Sequence, residues 1–508
     1  AVSGAIVNAG NLTVGTGSTL ALLGGTVINT GQLTAPTGQI LITAVPGEST
    51  IRLTLPGYIL ALELDAPVVD GDQPQTWQLP ITALPALLTT VLSPASLGLA
   101  VSNEGSVQLA NGTTVPDRPG TTVVSGEIDV SGEQGGTAAV LGDRVGLVNA
   151  QINASGTEGG GTILVGGNYQ GAGNVPTAQR TSVDGTTTLT ADALEIGDGG
   201  TIIVWADDTT DFFGNLTAIG GQVFGDGGFA EVSGQEKLSF FGTADLSGPN
   251  GRPGALLLDP TDIVISNDPA IATISQAAVE AMAGNFDISF VASGNISIQS
   301  LIQRPDQSGN VREVLAFQAG NRNITFSAGG DFSMSTNTLI TAPSVAIAGN
   351  SSSTRTLIFE GSNITLGDIS TRSGIPLNPD ASTGAPGGNV IIRSPGAVQT
   401  GFIATFADSN IVNGAVITSN PYNGGSITVT GIEDNGNLIL PSSIDTSRGQ
   451  LAAGTSEGNG GDISLQARGN ITTALIGTSP VAGGSGTRAG NIDIMSETGN
   501  IDISRSAP

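Results

Sequence analysis

An all-β solenoid, its short strands stacked coil on coil, is the fold class this sequence predicts, and three observations carry the prediction. The first is a recurring phrase: a Gly-Gly or Gly-Asn turn, a few residues of alternating apolar and polar side chains, then another small-residue turn. It reads Gly126-Glu-Ile-Asp-Val-Ser-Gly132, Gly160-Gly-Thr-Ile-Leu-Val-Gly-Gly167 and Gly294-Asn-Ile-Ser-Ile298, and returns as Gly461-Asp-Ile-Ser-Leu465, Gly490-Asn-Ile-Asp-Ile494 and Gly499-Asn-Ile-Asp-Ile503. The second is composition: 76 Gly punctuate the strands, only 4% of residues are aromatic and only 12% are charged. Ordered helical proteins need more Lys, Glu, Arg and Leu, and a disordered chain lacks Ile and Val on alternating positions. The third is strand length. Strands this short bury no face alone, so successive coils must stack on one another.

A chain of 508 residues ordinarily makes about three domains. A solenoid escapes that estimate because its core grows in one dimension. At about 20 to 25 residues per coil the chain makes about 20 coils, and at about 4.8 Å per coil a rod on the order of 100 Å long.

The first coils are expected over residues 1–48, with strands at Asn11-Leu-Thr-Val14, Leu20 to Leu23, Thr26-Val-Ile28 and Gln39-Ile-Leu-Ile42. Residues 49–100 break the rhythm. Arg52 to Asp65 reads as a hairpin around Pro56-Gly57, a turn dipeptide, and Ile81 to Leu92 as a short helix. This small excursion from the solenoid is either a lid packed on its side or an apolar surface for another molecule. From Gln73 to Asn103 there is no charged residue, but Pro85 and Pro94 interrupt the stretch and no transmembrane span is expected.

The rhythm is strongest over 101–266. Phe212, Phe213, Phe224, Phe229, Phe240 and Phe241 cluster there, as an aromatic ladder of stacked coils or, alternatively, a sugar-stacking platform. Over 267–290 the composition turns helical. Thr273 or Ser275 caps one short α-helix and Gly284 ends it. Residues 291–508 resume β coils with longer loops.

The formal charge of −27, from 43 acidic and 16 basic residues, excludes nucleic acid and disfavours anionic lipid, because both need clustered Lys and Arg. Cys and His are absent, so disulfides and thiolate or imidazole metal sites are excluded. A glycan-cleaving enzyme needs two carboxylates facing one cleft. The densest acidic run is Asp207, Asp208 and Asp211, with Asp198 and Asp226 near it in sequence and Arg180 and Lys237 as the nearest bases. Adjacent residues in a strand face opposite ways, which separates Asp207 from Asp208. The run reads instead as a solvated turn, with calcium between coils as the other use of such oxygens. No catalytic, cofactor-binding or metal residue is assigned, and no cofactor is expected. Asn11-Leu-Thr13, Asn295-Ile-Ser297 and Asn363-Ile-Thr365 match the glycosylation sequon, but they sit at strand starts and read as stacked Asn.

Residues 160–260 carry a further pattern. Gly160-Gly-Thr-Ile-Leu-Val-Gly-Gly-Asn-Tyr-Gln-Gly171 is followed by Pro176-Thr-Ala-Gln-Arg180 and Ile202-Ile-Val-Trp-Ala-Asp-Asp-Thr-Thr210, then by Gly227-Gly-Phe-Ala-Glu-Val-Ser-Gly234 and Gly254-Ala-Leu-Leu-Leu-Asp-Pro-Thr-Asp-Ile263. With Leu22-Leu-Gly-Gly-Thr-Val-Ile-Asn-Thr-Gly-Gln-Leu-Thr-Ala35, this run resembles the passenger region of filamentous-haemagglutinin-like exoproteins of two-partner secretion. The resemblance is specific over roughly 1–265 and generic beyond.

The resemblance implies a right-handed parallel β-helix at the surface of a Gram-negative bacterium or outside it. It implies a repeat protein acting in adhesion, aggregation or biofilm matrix, with an outer-membrane transporter as partner of the full-length precursor. The family's secretion domain carries an Asn-Pro-Asn-Gly-like motif; Gly248-Pro-Asn-Gly251 and Leu377-Asn-Pro-Asp380 are not that motif, so the chain is expected to be a processed product or an excerpt. The expected function is a secreted structural protein, not an enzyme, forming a rod or extracellular filament through itself or through surface polysaccharide. The alternatives are a monomeric adhesin for a glycan or cell-surface receptor, and a polysaccharide-degrading β-helix using Asp207 and Asp208.

Overall fold

A computed structural model describes residues 5–45, 50–54, 61–65, 99–101, 107–109, 112–115, 119–173, 175–282, 284–305, 311–343, 355–371, 387–405, 411–412, 415–416, 426–431, 438–440, 444–445, 460–474, 476–478 and 488–503. The chain forms two compact units, Ala1–Gly254 and Ala255–Pro508. Both are parallel β-helices, as the repeats predict.

In the first unit each turn visits three sheets. The first sheet stacks Ala5–Asn8, Thr26–Asn29, Thr121–Val124, Arg144–Leu147, Arg180–Val183, Thr209–Phe212 and Lys237–Phe240. The second has seven strands: Asn11–Thr13, Gln32–Thr34, Glu127–Asp129, Gln151–Asn153, Thr188–Thr190, Asn215–Thr217 and Thr243–Asp245. The third runs through Thr19–Gly24, Gln39–Ala44, Thr137–Leu141, Thr162–Val165, Thr201–Ala206 and Phe229–Gly234. Pairing is parallel and in register, as in Leu33↔Ile128↔Ile152↔Leu189↔Leu216. Alternation sends Leu33, Ile128, Ile152, Leu189, Ile163 and Val165 into a fully buried core.

Backbone amides satisfy one another along the stack. Buried hydroxyls close the corner between the third and first sheets: Thr122 donates to the Leu141 carbonyl (2.6 Å), Thr181 to Trp205 (2.6 Å) and Thr210 to Ser233 (2.7 Å). These donors tie the first sheet to carbonyls at the ends of the third-sheet strands.

The excursion is a true insertion. Thr121 lies in register on Thr26, and the Gly120 amide donates to the Gly25 carbonyl. The helix thus resumes on the coil it left after Ala44, and the parallel coils restart at Thr121 rather than at 101. Within the insertion, Thr50–Thr54 pairs antiparallel with Ala61–Asp65, across the expected hairpin, and Leu99–Val101 pairs antiparallel with Val107–Leu109. The helix expected over Ile81 to Leu92 lies outside the described residues.

The second unit uses the same plan with longer turns. From Ile471 to its partner Ile501 the step is 30 residues, and from Val398 to Leu438 it is 40. In the first unit one turn takes 21 residues from Ala5 to Thr26 but 36 from Arg144 to Arg180. Coils are therefore longer and fewer than a period of about 20 to 25 residues predicts, because the return loops, not the strands, absorb the extra chain.

The core of this unit is aromatic. Phe290, Phe326 and Phe359 stack face to face at 4.8 and 5.2 Å, with Phe332 edge-on to the last two. Two arginines, Arg322 and Arg355, are fully buried near it. The Arg322 guanidinium lies over the rings of Phe286 and Phe317 at 5.8 and 5.5 Å. Burial pushes it down to about 10, against the pull of Asp287.

The predicted α-helix is present as α1, Gln276–Ala281, starting at one of the two expected caps and ending short of Gly284. Ser275 takes the cap position without a side-chain hydrogen bond, and the helix ends at Met282 rather than Gly284. Thr273 instead bonds the strand beside it, accepting from the Val264 amide at 2.7 Å. Among the described residues no helix is long and apolar enough to cross a membrane.

Candidate functional site

The carboxylates of the 207–211 run do not converge. Asp207 accepts from the Trp205 indole N–H (2.9 Å), the Thr177 hydroxyl (2.6 Å) and the Gln179 amide (3.3 Å). Asp208 accepts from Thr209, and Asp211 takes the Arg180 guanidinium at 2.6 Å. Asp198 accepts the Asp226 amide (2.7 Å), and Asp226 accepts the amide and guanidinium of Arg252. Those contacts hold the Asp226 carboxyl below its usual range, the Arg252 amide first and its side chain second. Lys237 begins the strand after this region, at the rung beyond Thr209. Among the described residues no three acidic groups come together as a metal cage would require.

The acidic and amide side chains instead tie each coil to the next. Asp262 accepts the Asn295 amide, Asn295 the Asp331 amide, Asp331 the Asn363 amide and Asn363 the Ala397 amide, all at 2.7–3.1 Å. Asn295 and Asn363 are therefore stacked turn residues, as their place at strand starts predicts. A side-chain oxygen at a bend replaces the ladder partner that the bend removes. Asn11 opens an exposed strand and lies in register with Gln32.

The aromatic ladder forms, but only in part. Phe212 and Phe240 stack inside at 5.4 Å and 8° between planes, while Phe213 and Phe241 stack outside at 5.5 Å. Phe229 meets Tyr169 edge-on at 5.7 Å, and Phe224 is 58% exposed.

A strap missed at the level of sequence crosses the third sheet. Between Gly166 and Ala178, which hydrogen-bond each other, the chain leaves the coil and makes a 3-10 turn at Tyr169–Gly171. That turn lies on the Trp205 ring. Its Gln170 amide donates to the buried Glu231 carboxylate at 2.9 Å. Asp207 holds the returning limb through Thr177 and Gln179. Two carboxylates and one indole thus pin a loop to an outer sheet face, and the site they make is closed. The 36-residue step from Arg144 to Arg180, against 29 from Arg180 to Thr209, is the signal that could have located it.

The open surface is the second sheet. Its outward side chains form two in-register columns, Asn11, Gln32, Glu127, Gln151, Thr188, Asn215 and Thr243 beside Thr13, Thr34, Asp129, Asn153, Thr190, Thr217 and Asp245. None is basic and none is apolar. Rungs of hydroxyl and amide groups, with carboxylates at Glu127, Asp129 and Asp245, repeat at about 4.8 Å, the strand spacing. Beside the second column, burial raises the Asp192 carboxyl, against hydrogen bonds from the Ile219 amide and Thr217. In comparison with known proteins, no family model and no curated protein matches this chain.

Proposed function

We propose that this chain is a secreted structural protein of the bacterial surface, building extracellular fibres or matrix and adhering through many weak contacts. The reading rests on the two-column polar face of the second sheet, where a hydroxyl, amide or carboxylate recurs rung after rung. Contacts too weak to hold singly add up when they are repeated at fixed spacing. The resemblance to filamentous-haemagglutinin-like exoproteins supports the same reading. It brings with it an outer-membrane transporter for the precursor, release at a Gram-negative surface, and self-assembly or polysaccharide as partner.

Electron microscopy and light scattering of the isolated protein test this. Continuous fibres, or concentration-dependent association, are the expected outcome. Monomeric particles that bind one receptor saturably favour the single-adhesin alternative. Release of new reducing or unsaturated ends from a glycan, abolished by joint replacement of Asp207 and Asp208, overturns the non-enzymatic reading.

A further inference from the structure

One corner of the first unit contrasts with the polar columns of the second sheet. Leu194, Val223 and Phe224 are 51%, 68% and 58% exposed, on loops that lie directly on one another. The Val223 amide donates to the Glu195 carbonyl, the Gly197 amide to the Phe224 carbonyl, and Ile196 bridges Phe224. The half-buried Ile196 completes the cluster.

The sequence drives these side chains outward. Gly197 (φ +89°) and Gly225 (φ +146°) stack at the inside of the bend, and a Cβ on Gly225 would run into the Gly197 carbonyl oxygen. With glycine filling the inner positions, the neighbouring residues of each loop turn to solvent. Single exposed apolar residues are ordinary, but three large ones on two loops bonded to each other are not.

The rim is acidic. Glu133, Glu158 and Glu195 are exposed on successive loops of the same corner, joined by Glu158 amide to Glu133 carbonyl and Glu195 amide to Thr157 carbonyl. Asp198 and Asp226 lie on the other side, with Arg252 engaged by Asp226 at 2.6 Å. The corner's loops thus carry five carboxylates, and the guanidinium of Arg252 is already paired with Asp226. An apolar centre with an aromatic residue inside a charged rim is the layout of a protein docking surface. The sign of the rim selects the partner: acidic glycans, nucleic acid and anionic lipid are repelled. A second copy of this chain, itself at −27, is disfavoured for the same reason.

We infer that this corner docks a different protein through a segment that is both basic and apolar, such as a helix with Lys on one face and Leu on the other. The inference stands apart from fibre building and does not depend on it.

The test uses the whole chain and two synthetic peptides, an amphipathic helix of Leu and Lys and a peptide of Lys alone, with binding read by fluorescence anisotropy. The double variant Val223→Ser/Phe224→Ser is expected to weaken the Leu–Lys peptide at least about tenfold and to leave the Lys peptide unchanged. Glu158→Gln/Glu195→Gln is expected to weaken both and flatten their salt dependence. Equal affinity of the apolar double variant and the parent for the Leu–Lys peptide overturns the inference. So does sedimentation showing that the parent associates with itself and the apolar variant does not, since the corner then serves a second copy. Should the apolar variant lose its β circular dichroism, Leu194→Ser alone carries the same expectation. Fibres seen by microscopy in every variant, or in none, bear on the function proposed above and not on this corner.

Discussion

Thr181 and Thr210 sit fully buried in a row of otherwise apolar neighbours, each giving its hydroxyl to a carbonyl of the adjoining sheet. Valine has the same shape and the same strand preference, so Thr210→Val isolates the hydrogen bond. It removes one buried hydrogen bond to the Ser233 carbonyl, and chemical denaturation is expected to show a loss of about 0.5–1.5 kcal/mol. Gly171 shows the opposite constraint. Its φ is +62°, and a Cβ there would press on the Trp205 ring at 2.8 Å. Gly171→Ala is expected to lift the strap from the indole, with a red shift and easier quenching of Trp205 emission. Trp77, the other tryptophan, is changed to Phe in both proteins so that one ring reports.

At the scale of elements, α1 is held by one carboxylate. Glu280 receives the Arg304 guanidinium at 2.6 and 2.7 Å, the Gln276 amide at 2.9 Å and the Ala316 amide at 3.0 Å. Burial pushes this carboxyl up, but those donors and the Arg304 charge together outweigh burial and hold it below its ordinary value of 4.5. A carboxyl lowered by folding contributes stability above its unfolded value and loses it as pH falls through the lower folded value. The melting temperature is therefore expected to drop as pH falls below about 4.5, and Glu280→Gln is expected to remove part of that slope. At neutral pH the same variant is expected to cost about 1.5–3 kcal/mol, the range for hydrogen bonds to charged groups.

The aromatic stack of the second unit is a second element-scale device. Phe326 touches Phe290, Phe359, Phe332 and Phe317. Phe326→Ala is expected to cost about 3–5 kcal/mol, the range for a buried ring replaced by a cavity.

On the scale of the whole molecule, the in-register return of Thr121 onto Thr26 makes the insertion separable from the coils. Joining Val45 directly to Gly120 leaves a connection between sheets like that at Gly142-Asp143, which links Leu141 to Arg144. The shortened protein is expected to keep its β circular dichroism and to melt within a few degrees of the parent. Loss of cooperative melting would show that the insertion is part of the fold.

Fold class, repeat punctuation and the stacked role of Asn295 and Asn363 were legible from residue order, because a short strand's alternation and its turn residues are local properties. The insertion was legible as a break in rhythm. Its true limits were not, since only the pairing of Thr121 with Thr26 reveals where the helix resumes. Helix α1 and its Ser275 cap position were legible, its end short of Gly284 was not, and Thr273, the other expected cap, bonds the adjacent strand instead.

Arg322 and Arg355 could not be read as core residues, since charge predicts the surface until tertiary partners, the rings of Phe286 and Phe317 for Arg322 and the Gln318 carbonyl for Arg355, are in place. Glu231 beneath its strap, and Leu194, Val223 and Phe224 at one corner, lie far enough apart in the chain that loop length decides their meeting. Periodicity therefore determined what each strand buries. Which loops fold back, and which side chains they seal or expose, was decided only when the coils stacked, because stacking joins residues that local preference leaves independent.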